Sequence, residues 1–414
     1  MNEPTINLVV VGHKDHGKST LIGRLLYDSK AIKKQKLDEI KKELNRSGRK
    51  FEFAFLLDSL EEERKGGLTI DIMHTPFKSK EYRYTIIDCP GHKEFIEKML
   101  TGASEADAAV LVVSSKEGIQ EQTRQHAFLI KTLGIKQLVV AVNKLDIVNY
   151  DENQYKKTCR ELKPILKKLG YNNVDMIPIS AMKGDNVFNK TQQMPWYNGQ
   201  TLIETLDQKI IPCTQPLNKP LRGLVQDVYS YENNQNIIVC KIETGTLSTK
   251  KNVIFNPSGK KSLIKKMLEF GSEVNNAEPG DSVGLILENS IKIERGEVLS
   301  YLHNQPQKVK NFIAEVILFS EIQIKNNDVL TIRLGTAEKN CKVAKILNEI
   351  DSVNLDISSK NPKILNKNSV GEIKFEPLQP IVLEKYSDFP ELGRFVIKGK
   401  RGTVAAGIVL EINN

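Results

Sequence analysis

The stretch "VVVGHKDHGKST" at positions 9–20 sets two histidines, an aspartate and a lysine around a pair of glycines. Gly12 to Ser19 fits Gly-x-x-x-x-Gly-Lys-[Ser/Thr]. It follows an apolar strand and opens the amphipathic "STLIGRLLYDS", the context that a phosphate-binding loop requires. The backbone N–H groups of so tight a loop, with the positive end of the following helix, surround the phosphates of a nucleotide. Phosphate contacts are expected from Gly12, His13, Lys14, Asp15, His16, Gly17, Lys18, Ser19 and Thr20. Lys18 would reach the terminal phosphates, and the Ser19 hydroxyl would bind Mg²⁺. Histidines three apart raise a metal site as the alternative. No third ligand is apparent nearby and the loop must stay open to phosphates, so the pair is read as framing the loop.

Further elements follow in order. "IIDCPGH" at 86–92 puts Asp88 at a strand end, where it can hold Mg²⁺ through water, and the Gly91 N–H where it can sense a terminal phosphate. His92 comes directly after Asp-x-x-Gly, where a side chain can orient the attacking water, and this catalytic role is taken over that of a purely structural histidine at a strand end. "VNKLD" at 142–146 supplies a base reader. Asp146 accepts from the guanine N1–H and exocyclic amine, Asn143 contacts N7 and O6, and Lys144 lays its stem along the base. An aspartate accepting two donors selects guanine, because adenine has no matching donor edge. In "ISAMKGDN", backbone N–H groups of Ser180 and Ala181 could reach O6. Thr69 in "GGLTID" sits between the phosphate loop and Asp88, where a mobile threonine can close on Mg²⁺ and the γ-phosphate. Together these predict a site for GTP and Mg²⁺. The insert "KKQKLDEIKKELNRSG" between Lys18 and Thr69 reads as a helix with a solvated charged face.

The elements that must position these loops are legible in the patterning. Up to about residue 210, short apolar runs such as "AAVLVVSS" and "LVVAVNK" alternate with helical patterns such as "QTRQHAFLIKTLG". That alternation predicts βαβ units around a mainly parallel sheet. After "CTQPLNKPLRG" the texture becomes period-two strands with Gly, Asn and Pro turns, and a second break falls at 301–310. The expected fold is multi-domain: an N-terminal α/β P-loop domain over 1–215, then two β-barrel domains over 218–305 and 308–414.

Composition bounds the rest. The chain has 414 residues, 40% hydrophobic and 27% charged, a soluble globular balance with two or three cores. No apolar run spans a bilayer and no secretory leader is evident, which predicts a cytoplasmic protein with no membrane partner. Five scattered cysteines without a Cys-x-x-Cys pair speak against a disulfide framework or a thiolate zinc site. The net charge of +9 would suit RNA or a nucleotide, but lysine spread over the surface is the stronger reading.

The phrases "GHKDHGKSTLIGRLLYDS", "DCPGHKEFIEKMLTGASEADAAVLVV", "EGIQEQTRQHAFLIKTLGIKQLVVAVNKLD" and "GDNVFNKTQQMPWYNGQTLIETLD" resemble the translation-factor superfamily of GTPases. The resemblance runs over the full chain and implies a GTPase domain followed by two β-barrels. By motif it carries the roles above onto Lys18, Ser19, Thr69, Asp88, Gly91, His92, Asn143, Lys144, Asp146 and Ser180, and it implies that Asp15 supports the phosphate loop. Lys14 and Cys89 depart from the usual pattern. Two branches share the phrases. "EEERKGGLTID" and "SIKIERGEV", with no two-histidine segment after "KKMLEF", look closer to the GTPase subunit of sulfate adenylyltransferase. That likeness implies GTP hydrolysis coupled to synthesis of adenosine 5′-phosphosulfate by an adenylyl-transferring partner subunit, and it is the expectation taken here. "YSDFPELGRFVIKGKRGTVAAGIV" looks more like elongation and release factors, implying aminoacyl-tRNA and the ribosome as partners. No arginine finger is evident, so intrinsic turnover should be slow. Replacing His92 by Ala should keep GTP affinity and slow single-turnover hydrolysis by roughly a hundredfold or more. An unchanged single-turnover rate would remove the water-orienting role.

Overall fold

The computed structural model describes residues 5–32, 34–46, 52–56, 73–88, 106–132, 134–212, 216–230, 236–318, 322–351, 356–366, 369–400 and 402–413. These fall into two compact units, one on each side of residue 213.

The first unit is built on a six-stranded sheet: β1 (Thr5–Gly12), β2 (Met73–Lys78), β3 (Arg83–Asp88), β4 (Ala108–Ser114), β5 (Gln137–Asn143) and β6 (Asp175–Pro178). Their spatial order is β2-β3-β1-β4-β5-β6. All neighbours are parallel except β2 with β3. The β-branched runs explain this: every residue of β4 is buried, as a strand covered on both faces demands. Among the described residues this unit also has helices α1 (Lys18–Asp28), α2 (Lys34–Arg46), α3 (Glu121–Thr132), α4 (Glu152–Lys168) and α5 (Leu202–Lys209). On α1 the buried stripe is Leu21, Ile22, Leu25 and Leu26, which joins strand residues Leu8, Val10 and Val110 in one core. The chain leaves β1 towards β3 on one side and returns to β4 on the other. The carboxyl end of β1 is therefore the switch point at which open α/β sheets bind ligands.

The insert is more than a solvated helix. Ile40 of α2 is buried with Phe53 and Leu56 of the turn at 52–56, and partly buried Ile32 and Leu37 pack against them. Its sequence shows mainly charge because this small core is completed by residues beyond the helix.

The second unit contains two closed rings of antiparallel strands. In the first, Asn252–Asn256, Val298–Tyr301, Arg222–Ser230, Asn236–Thr244, Ser282–Leu287 and Lys260–Glu269 follow one another and return to Asn252–Asn256, with Ser272–Val274 added outside. In the second the order is Val329–Leu334, Arg394–Gly399, Gly402–Asn413, Asn311–Leu318, Val370–Pro377 and Ala337–Ile350, closing on Val329–Leu334, with Ile357–Lys360 added outside. Alternating burial, as in "NIIVCKIET", fills each interior.

The rings share a boundary. Leu224 and Val298 of the first belong to the core of the second, beside Leu334, Ile381 and Leu392. Arg222 Nε and Nη2 grip Glu384 at 2.9 and 2.8 Å, while Nη1 donates to the carbonyls of Leu221 and Asn304 at 2.9 and 2.8 Å. The guanidinium lies 4.8 Å from the centre of the Phe389 ring. With Arg222 3% exposed and Glu384 13%, solvent screens little of this fork. Arg222→Ala strands a carboxylate and should cost about 3 kcal/mol. Urea unfolding of this unit would show it as a lowered midpoint, and the pair Arg222→Met with Glu384→Leu should recover most of the loss.

Candidate nucleotide site

The loops at the carboxyl ends of β1, β4 and β5 converge. Gly12 lies beside Val112, and Ser114 beside Asn143. Gly12 has no room for a side chain, since a Cβ there would fall 2.3 Å from the Val112 carbonyl oxygen. The loop then turns, with the His16 N–H donating to the His13 carbonyl at 3.2 Å. Gly17, at φ 90°, caps α1 in the left-handed region that glycine tolerates. Lys18 Nζ donates to the Gly12 carbonyl at 2.8 Å, folded over the loop that it would share with phosphates. Ser19 and Thr20 stand in the first turn of α1, and Lys14, Asp15 and Ser19 are exposed. The Lys14 N–H donates to Gln122 Oε1 at 3.3 Å.

Asn143 joins this loop to the base loop. Its Nδ2 donates to the His16 carbonyl at 2.9 Å, and its Oδ1 accepts from the Ala181 N–H at 2.9 Å. It is 2% exposed. A Cβ on Gly17 would come within 2.4 Å of Nδ2, so the second glycine of the motif is also the clearance for this amide. The Ser180 and Ala181 N–H groups, expected to reach O6, both have partners within the protein. Ser180 N–H donates to Asp185 O at 3.1 Å, and Ala181 N–H to Asn143. Both amides are engaged because the loop folds on itself, Gly184 N–H closing on Ser180 O at 2.7 Å. Asp146 sits half-buried in the turn Leu145–Val148, and Lys144 takes a left-handed φ of 65°.

Glu117 is a residue that spacing could not bring into the site. Its Oε1 accepts from Lys144 Nζ at 2.9 Å and its Oε2 lies 3.6 Å from His16 Nε2. Bonding to the Lys144 ammonium holds the Glu117 carboxyl below its ordinary range. The third group that the histidine pair lacked in the sequence is thus present: ligand atoms of His13, His16 and Glu117 lie within 4.8 Å of one another. The ammonium of Lys144 already neutralises that carboxylate, so the cluster is read as an ion-paired frame behind the loop. The one sequence signal was a lone acid in the turn after β4.

His16 is fully buried, with Nδ1 3.4 Å from the Val112 carbonyl oxygen and its ring 4.9 Å from that of His13. Burial is the main cause that lowers its pKa from 6.5 to about 4, against the pull of Glu117. Asp88 ends β3, one residue beyond the Val9–Ile87 pair; its side chain lies outside the described residues, as do Thr69, Gly91 and His92.

Residues 3–212 match the family of the elongation factor Tu GTP binding domain, and residues 311–410 match the GTP-eEF1A C-terminal domain-like family. The chain is 41% identical to elongation factor 1-alpha of Methanocaldococcus jannaschii, over 99% of this chain and 98% of that one. The chain belongs to the elongation factor Tu/1-alpha family of GTPases. Elongation factor 1-alpha of Saccharolobus solfataricus is 39% identical over 99% of this chain and 98% of its own length. Among solved structures, sup35 complexed with GMPPNP matches with a TM-score of 0.47 at 27% identity, covering 100% of this chain and 95% of that one. As a member of this GTPase family, the chain binds GTP with Mg²⁺ and hydrolyses GTP. The architecture expected from the sequence, an α/β GTPase domain and two β-barrels, is that of the family. The sulfate-activating expectation gains no support from these relatives, whose name favours the elongation-factor branch. No helix among the described residues is long and apolar enough to cross a membrane.

The loop fits its ligand at the start of α1, where exposed Ser19 stands in the first turn and its hydroxyl would meet metal and phosphate. The buried neutral imidazole of His16 makes the unit acid-sensitive. Its folded pKa is depressed, so the unfolded chain takes up the proton first, and stability falls as pH drops from 6.5 towards about 4. His16→Gln should lose less thermal stability than the parent between pH 7 and pH 4.5. Parallel losses in the two proteins would exclude the imidazole as the cause.

Proposed function

We propose that this chain is a translation elongation factor of the 1-alpha type, which carries aminoacyl-tRNA to the ribosome in its GTP state. Identity of 41% along almost the entire length of an elongation factor 1-alpha carries the reading. We assign the GTPase domain to 1–215 and the two barrels to 218–305 and 308–414.

In this reading the phosphates lie over the loop Gly12–Thr20, and Lys18 leaves the Gly12 carbonyl to meet the terminal phosphates. Ser19, Thr69 and Asp88 would hold Mg²⁺, which would offset charge on the phosphate oxygens. Gly91 N–H senses the γ-phosphate and His92 orients water. Asp146 accepts from the guanine N1–H and amine, Lys144 covers the base, and Asn143 turns its second amide hydrogen to N7. O6 shares the Ala181 N–H with Asn143. Loss of the γ-phosphate releases the segments around Thr69 and Asp88, and with them the tRNA.

A protection assay tests this directly. Aminoacyl-tRNA incubated with the chain should deacylate several-fold more slowly with GTP than with GDP. Equal rates would remove the carrier role. The second reading, service to an adenylyl-transferring subunit, rests on the absence of paired histidines where the strand Lys260–Glu269 ends. It would be favoured instead if GTP raised sulfate adenylylation by such a subunit.

A further inference from the structure

Arg24 reaches the base loop from α1. Its Nη2 donates to the Lys183 carbonyl at 2.8 Å, and its Nε donates to Asp28 Oδ2 at 2.9 Å, one turn along the same helix. The guanidinium also lies 4.7 Å from the centre of the Phe53 ring and 5.9 Å from that of Tyr27. This places it between two supports and leaves its fork directed at one carbonyl. The loop is shaped for it: Gly184 has φ +85°, and a Cβ there would stand 1.8 Å from Arg24 Nη2. Beside it, a Cβ on Gly23 would fall 1.9 Å from the Phe53 carbonyl oxygen, so the turn at 52–56 is seated on the same stretch of helix.

Lys183 and Gly184 belong to the turn that closes on Ser180 and presents the Ala181 N–H to Asn143. A clamp on Lys183 therefore acts on the part of the loop nearest the guanine 6-position. It is remote in chemistry from Asp146, which faces the N1 and 2-amino edge. We propose that Arg24 is a positioning residue that fixes the loop 180–186 against α1 and thereby sets selectivity for the atom at the guanine 6-position. This rests on the base-reading role proposed above for that loop. A stiff loop accepts an oxygen and rejects the larger, weakly accepting sulfur; a loop freed from its clamp can move away and admit it.

The experiment compares equilibrium affinities of the full chain for GTP, 6-thioguanosine triphosphate and inosine triphosphate. The first pair differs only at the 6-position and the second only at the 2-amino group. The parent should prefer GTP to the thio analogue by roughly tenfold, the loss of one good hydrogen bond plus crowding. In Arg24→Ala that preference should shrink to about twofold while the preference over inosine triphosphate stays as in the parent. Arg24→Lys keeps the stem and the charge for Asp28 but not the fork, and should fall between them. This second variant carries the test if the alanine form does not fold. A 6-position preference that survives both substitutions overturns the inference alone. Equal collapse of both preferences overturns it too, because it marks a general loss of structure. Indifference of the parent to sulfur would instead sink the base-reading role of the loop, and the inference with it.

Discussion

One buried amide holds the nucleotide site together. Asn143 accepts from the base loop through Ala181 N–H and donates to the phosphate loop through His16 O, a residue 127 positions away in the chain. Each loop has anchors of its own, Arg24 on the one and Val112 and Gln122 on the other, and this side chain ties the two together. The constraint reaches into composition. Gly17 must lack a Cβ to let the amide pass, and Gly12 must lack one to lie against β4. Replacing the asparagine by an apolar residue would leave a buried carbonyl and a buried N–H without partners, a penalty well above the net worth of the bonds themselves. In the proposed function, the same geometry couples base recognition to phosphate recognition.

Electrostatics behind the loop is organised around the same amide. Lys144 is turned by its left-handed backbone towards Glu117, and Glu117 in turn faces His16. A neutral imidazole costs less than a charged one at the fully buried His16 position, and the paired lysine and glutamate offset each other's charge beside it. In the second unit the Arg222 fork plays a comparable part. It spans Glu384 and two carbonyls and so ties the first ring to the second at a boundary otherwise made of apolar side chains.

Much of this was legible in the residues. Alternating apolar runs and helical patterns foretold the parallel sheet, and the texture change after residue 215 foretold the rings, because both follow from local periodicity. The glycines and the lysine of the phosphate loop could be read because their chemistry is local. Glu117 could not, since nothing near His16 in sequence announces it. Asn143 was singled out as a candidate base reader, but its place as a strut depends on which carbonyl the fold brings under it. For the insert at α2, charge concealed a small core, as Ile40 needs Phe53 and Leu56 to be buried. The choice between branches of one family rests on surfaces that bind partners, and motifs shared by both branches do not carry it.

Closure of the two rings has a consequence for how the molecule meets others of its kind. A strand that has neighbours on both sides offers no row of unpaired amides to an incoming chain. In these rings the strands that hang free outside the closure are Ser272–Val274 and Ile357–Lys360, of three and four residues, mostly exposed and rich in serine with a charged residue in each. Ribbons so short and polar are poor templates for strand addition. The ring strands, by far the more apolar, have neighbours on both sides, which leaves less of their edges open to amyloid-like stacking.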